Sequence, residues 1–177
     1  MTANESNYDE KYQPFSLNQF EEFKQSDSYT EITALMSLDA YVDVEKEQQG
    51  MATTEERDAM LESIVRHAEM SCRIDGFKIE NKHGQIVDTI LPDSFDTAQR
   101  AIIQGGAGNI IRVKLNLANE SASTLQKLSK DYDCLFGDVL TVGIATRSAV
   151  KRHYSNGHHI IAVLSNTDKR LAILPLS

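Results

Sequence analysis

Three histidines near the C-terminal end, His153, His158 and His159, are the side chains best suited by type to acid–base or metal chemistry. His153 and His158 flank Ser155-Asn156-Gly157, a turn sequence across which the two rings can approach. His158 and His159 are consecutive in a strand-like run, so they point to opposite faces and only one can serve a given site. A metal centre would need a third ligand, and no spacing in the chain supplies one. A hydrolase or transferase built here would pair these histidines with Asp131, Asp133 or Asp138, because catalytic groups converge in space and not along the chain. Those aspartates lack the glycine and terminal glutamate of a calcium loop. Cys72 falls on an apolar helix stripe, where a thiol is inert, and Asp133 beside Cys134 disfavours its thiolate. Gly105-Gly106-Ala107-Gly108 stands between a helical pattern and a strand, the reverse of a phosphate cradle, and reads as a helix stop. No catalytic set, metal or cofactor follows from these residues.

The stretch 147–154 is the one basic segment. Arg147, Lys151 and Arg152 could meet phosphates and Tyr154 could stack on a base, as in a nucleic-acid-associated regulator. Residues 139–177 hold five basic residues against one acidic, a net +4, which is low for a dedicated nucleic-acid binder. An intramolecular role against the acidic N-terminal region competes with it. A second polar stripe, Arg112, Lys114 and Asn116, alternates with Ile111, Val113, Leu115 and Leu117. This is a half-buried strand, and at a sheet edge it would offer strand addition or self-association to a homo-oligomer.

Charge is unevenly placed. Residues 1–70 carry 16 acidic and 5 basic side chains, and residues 71–177 carry 10 and 13, so a net −11 is followed by a net +3. Seven of the twelve aromatics, Tyr8, Tyr12, Phe15, Phe20, Phe23, Tyr29 and Tyr41, lie in the acidic first quarter. Aromatic anchors among carboxylates suit a docking surface, with charge for steering. The function expected from this pattern is a non-catalytic interaction module (inhibitor, adaptor, chaperone-like or assembly subunit). It would grip a basic protein surface through Phe15, Phe20, Phe23, Glu21, Glu22 and Tyr29.

The elements that must position these groups follow from periodicity. The expected fold is α+β: a mixed or antiparallel sheet of five to six strands with helices on one side, preceded by an N-terminal helical hairpin. Ser16 with Gln19 and Ser28 with Glu31 have capping-box spacing, and Ile32, Leu35 and Met36 share a helical face, so residues 14–45 are expected as an acidic two-helix arm. Residues 1–13 read as a flexible tail, 42–52 as a linker and 53–177 as the α+β domain. Thr53 with Glu56 opens the most regular helix, whose stripe is Leu61, Ile64, Val65, Ala68 and Cys72. A hairpin turning at His83-Gly84 is expected over 77–91, then a short helix ended by the glycines, and then the Arg112 strand. Ser123 with Gln126 is expected to open a further helix. The apolar run Val139–Ala145 reads as a central strand, 147–154 as one or two helical turns, and the chain closes as a hairpin across 166–169. No repeat is visible in the residues themselves.

At 177 residues the chain is long enough to bury a core without staples. Two cysteines make no disulfide framework and suit a reducing, cytoplasmic setting. The polar, acidic start has no signal-peptide pattern, and no 18-residue apolar run exists to span a membrane.

Overall fold

A computed structural model describes residues 20–90, 110–164 and 170–173. The described elements are β1 (Glu22–Gln25), β2 (Tyr29–Ser37), α1 (Leu38–Gln49), α2 (Thr54–Ser71), β3 (Ile74–Glu80), β4 (Ile86–Ile90), β5 (Ile110–Ala118), α3 (Asn119–Asp131), α4 (Phe136–Ser155), β6 (His159–Leu164) and β7 (Arg170–Ile173). The class is α+β, as expected. The strands form two antiparallel sheets and not one: a three-stranded sheet ordered β1-β2-β5 and a four-stranded sheet ordered β4-β3-β6-β7.

The order hides a duplication. β2-α1-α2-β3-β4 is followed by β5-α3-α4-β6-β7, the same five elements in the same sequence. An interval of 81 positions separates Tyr29 from Ile110 at the strand starts, Leu38 from Asn119 at the helix starts, and Thr33 from Lys114. Thr33 and Lys114 face each other in the β2–β5 pair. An antiparallel pair in which a residue opposes its own counterpart has a local twofold axis through that pair. The second sheet repeats the relation: β3 and β6 are central neighbours, and each carries its hairpin partner on the outside.

The main core lies between the first sheet and the four helices. Ile32, Ala34 and Met36 of β2 and Val113, Leu115 and Leu117 of β5 meet Met60, Leu61, Ile64, Val65 and Ala68 of α2, Leu125 and Leu128 of α3, and Val139, Leu140 and Val142 of α4. A smaller core joins Phe77 and Ile79 of β3, Ile160 and Ala162 of β6, and Val150 of α4. α2 begins where its capping residues predict: Thr53 Oγ1 accepts from the Glu56 amide at 3.2 Å, and the Glu56 carboxylate accepts from the Ala52 amide at 3.1 Å. The β3–β4 turn also follows expectation. Gly84 takes φ +75°, and Asn81 Oδ1 accepts from the His83 and Gln85 amides.

Five expectations are corrected. The helix expected from Ser28 is strand β2, because β-branched Thr30, Ile32 and Thr33 pair on both edges, with β1 and with β5. Residues 20–45 are therefore β1, β2 and part of α1, packed into the main core, and not a separate helical arm. The expected linker 42–52 is mostly helix α1, capped at Ser37, whose hydroxyl accepts from the Ala40 amide at 3.3 Å. The apolar run Val139–Ala145 belongs to helix α4, and Ser123 and Gln126 lie inside α3, which begins at Asn119. The expected helix before the glycines, those glycines, the 1–13 tail and the Ser16–Gln19 box lie outside the described residues.

Candidate functional site

Among the described residues, the outward face of the first sheet gathers polar side chains from three strands. On β5, Arg112, Lys114 and Asn116 are exposed, while the intervening Val113, Leu115 and Leu117 are buried. Successive outward residues on a strand stand about 7 Å apart. Across the pair, Leu35, Thr33 and Glu31 of β2 face Arg112, Lys114 and Asn116. On the far side of β2, Glu22 and Lys24 of β1 stand beside Thr33 and Glu31. Among the described residues the outer edge of β5 is open.

Arg112 is held from β1's side. Its Nε donates to the Phe20 carbonyl at 3.0 Å, and its guanidinium lies 3.5 Å from the Glu22 carboxylate, which also meets Lys24 at 3.5 Å. The neighbouring Glu21 points the other way. Its carboxylate accepts from the amides of Leu35 at 2.9 Å, Phe136 at 2.7 Å and Gly137 at 3.1 Å, seating it at the N-terminus of α4. Burial pushes the Glu21 carboxyl up, and the three amides pull it back. Gly137 permits this junction: a Cβ there would lie 1.6 Å from the Leu35 carbonyl oxygen.

No protein-family model, curated protein or solved structure matches this chain. The site is therefore read from its own geometry. Of the six residues expected to bind a partner, Phe15 lies outside the described residues. Phe20 and Tyr29 are 40% and 41% exposed, and the Tyr29 hydroxyl donates to Asp58 at 2.9 Å. Phe23 packs on the main core with its ring 6.1 Å from that of Phe136. Glu21 is a structural anchor and Glu22 an ion-pair partner, so the five described residues do not make one free surface.

The basic segment 147–154 is divided. The Arg147 side chain is 6% exposed and grips Glu47 through two 2.7 Å bonds, while its Nε donates to Ser63 Oγ at 3.1 Å. Lys151 meets the same Glu47 at 3.0 Å. Arg152 and Tyr154 remain exposed. Two of the four proposed phosphate contacts are thus committed within the fold, to a carboxylate of the acidic N-terminal region.

His153 and His158 do come together across their turn, with ring centroids 5.9 Å apart. The carboxylate near them is Asp88 of β4, 3.7 Å from His153 Nε2, and not Asp131, Asp133 or Asp138. His159 is exposed at the start of β6, and Asp138 is a buried cap that accepts from the Leu135 amide at 2.8 Å. Burial, Arg152 and His158 lower the His153 pKa, against Asp88. The clefts flanking α3 and α2 are lined by no histidine, and no group of three metal-ligating side chains is placed to hold an ion among the described residues. Burial pushes the Cys72 thiol up, away from nucleophilic use, and Cys134 is buried.

A polar layer between α2 and α4 was not legible in the sequence. His67 is 1% exposed; its Nδ1–H donates to the Ser63 carbonyl at 2.7 Å, which leaves Nε2 buried as an unpartnered acceptor. Ser71 Oγ lies 2.8 Å from Thr146 Oγ1 in the same layer. Desolvation first, and then Arg147 and Lys151, depress the His67 pKa below 6.5, while the Ser63 bond opposes them. The neutral ring is thus the folded form. Below about pH 6.5 the unfolded chain takes the proton that the folded chain refuses, so stability falls as pH falls through that value toward the depressed folded pKa. Urea midpoints measured at pH 7.5 and 5.5 are expected to drop more for the parent than for His67→Gln. Equal drops would remove His67 as the source.

Proposed function

We propose that the chain binds double-stranded DNA by laying the β2–β5 ribbon in the major groove. The observation that carries this reading is the file Arg112, Lys114, Asn116, exposed on a strand that pairs about a local twofold with its own counterpart. A major groove admits a two-stranded ribbon, and duplex DNA has matching twofold symmetry in its backbone. Arginine and lysine suit guanine edges, and asparagine suits adenine. The acidic total does not oppose this, because the ribbon's exposed strand belongs to the part of the chain with net +3. The two halves are unequal: Glu31 and Thr33 occupy on β2 the places that Arg112 and Lys114 hold on β5. A preferred site would accordingly have one strongly read half and one weakly read half.

Fluorescence polarisation with a random-sequence duplex at low and moderate salt tests this reading. Binding should weaken with salt. Lys114→Ala and Arg112→Ala should each weaken binding about tenfold, since a base contact contributes about 1–3 kcal/mol. Asn116→Ala should alter the sequences enriched by selection. No binding at low salt, or binding untouched by both basic substitutions, would sink the reading.

A protein partner is the second reading, favoured by the exposed Phe20 and Tyr29 beside Glu22 and Asp58. Such a partner would present a basic surface, as expected of an adaptor, inhibitor or assembly subunit. Its capture would depend on Phe20 and Tyr29 and not on Lys114. No described helix is long and apolar enough to cross a membrane, and Cys72 and Cys134, which form no disulfide, fit the reducing cytoplasm.

A further inference from the structure

We infer that β1, with the flanking Phe20 and Glu21, is a displaceable strap that closes the ribbon against DNA. The inference rests on the DNA reading of the same site and adds its regulation. The first ground is width. Each strand adds about 4.8 Å to a sheet, and a groove about 12 Å wide accommodates two strands with their side chains and not three. With β1 paired to β2, the described sheet has three.

The second ground is what the strap holds. The Phe20 carbonyl takes the Arg112 Nε–H at 3.0 Å and Glu22 sits 3.5 Å from the same guanidinium, so the first basic side chain of the file is turned toward β1. Glu22 also brings a carboxylate to the surface a phosphate backbone must approach.

The third ground is how the strap is held. β1 has four residues and, among the described residues, pairs with one strand only, while β2 and β5 pair over nine positions. Beyond that pairing and the Arg112 contacts, its described fixings are the Glu21 carboxylate on three amides and the Phe23 ring against Phe136. The nine β2–β5 pairs do not include β1, and its departure hands one edge of β2 and the Leu35, Phe136 and Gly137 amides to water. Elements with few pairings and one charged anchor open at lower free energy than the fold as a whole.

A reversible lock tests this in the full-length chain. Lys24 and Glu31 are cross-strand partners on the outward face, and the Cα spacing of such pairs, about 4.5–5.5 Å, lies within disulfide reach. The Lys24→Cys/Glu31→Cys protein is compared oxidised and reduced, with a random-sequence duplex as probe and circular dichroism as the check on folding. Oxidation is expected to weaken binding at least tenfold and reductant to restore it. Glu21→Gln, which weakens the anchor, is expected to bind several-fold more tightly than the parent. Equal binding by the two redox forms, with Glu21→Gln matching the parent, overturns the strap and leaves the DNA reading standing. Absence of binding by every form, the reduced protein and Glu21→Gln included, overturns both.

Discussion

Replacing Gly143 with alanine lowers the thermal midpoint of unfolding by about 6–12 °C, the opposite of what the substitution does on an exposed helix. In an open helix interior, Gly→Ala stabilises by about 1 kcal/mol through backbone entropy. Here the added Cβ would fall 2.1 Å from the Ile64 carbonyl oxygen and 3.0 Å from its carbonyl carbon and Cγ2. Two of those three atoms are backbone, so no side chain can rotate away. α2 and α4 must move apart, and Ile64, Val65, Val139 and Val142 lose packing in the main core. Overpacking costs about 1–3 kcal/mol and more where backbone is pressed. A net loss of about 3 kcal/mol corresponds to the stated shift for a chain of this size. Gly50→Ala is the control: its Cβ meets only the Glu47 carbonyl oxygen, at 3.6 Å, and its melting should stay within about 2 °C of the parent. A Gly143→Ala protein that melts with the parent would mean that α2 and α4 do not cross so closely.

The same crossing explains what the sequence could and could not disclose. β5 was legible because one face is buried and the other wet, so Val113, Leu115 and Leu117 alternate with Arg112, Lys114 and Asn116. β2 is central, and its outward Thr33 and Leu35 are buried along with its inward Ile32, Ala34 and Met36. The period of two is lost there, and Ile32, Leu35 and Met36 then imitate a helical stripe. α4 failed in the reverse sense. It meets β2, α2 and α3 at once, so Val139, Leu140, Val142 and Ile144 are all buried, and its wetter positions, Thr141 and Ala145, carry no charge to betray the period. The duplication was invisible because the two halves share burial and not residues: Ile32, Ala34 and Met36 answer to Val113, Leu115 and Leu117. Of the candidate interface, Arg112, Lys114 and Asn116 were readable as an exposed file. Their pairing with β2, and the strap over it, depend on partners far away in sequence. Glu21 is the plainest case, since it bonds Phe136 across 115 positions.

Arg147 and Glu47 lie 100 positions apart, and cutting their pair from either side should give unequal losses. The Arg147 side chain is 6% exposed and that of Glu47 32%. Arginine stays charged at any ordinary pH. Glu47→Gln therefore leaves a buried guanidinium without its counter-charge, and the expected cost is about 3 kcal/mol, at the lower end for a broken buried pair. Arg147→Met removes the more deeply buried charge and fills the volume with thioether. Glu47 then keeps Lys151 at 3.0 Å and partial hydration, so the expected cost is about 1 kcal/mol. The double substitution should lie close to Arg147→Met alone, a strong coupling that a double-mutant cycle in urea reads directly. Acid adds an independent check. Arg147's hydrogen bonds hold the Glu47 carboxyl below its usual range, against burial. Its contribution is thus full above about pH 4.5 and is lost as pH falls through the depressed folded value. Arg147→Met should lose less stability than the parent between pH 4.5 and 3. It also removes a positive charge that helps keep His67 neutral, so the fall below pH 6.5 should be shallower as well. Equal losses for Glu47→Gln and Arg147→Met would instead mean that both charges are solvated, and that the layer between α2 and α4 is wetter than its buried side chains imply.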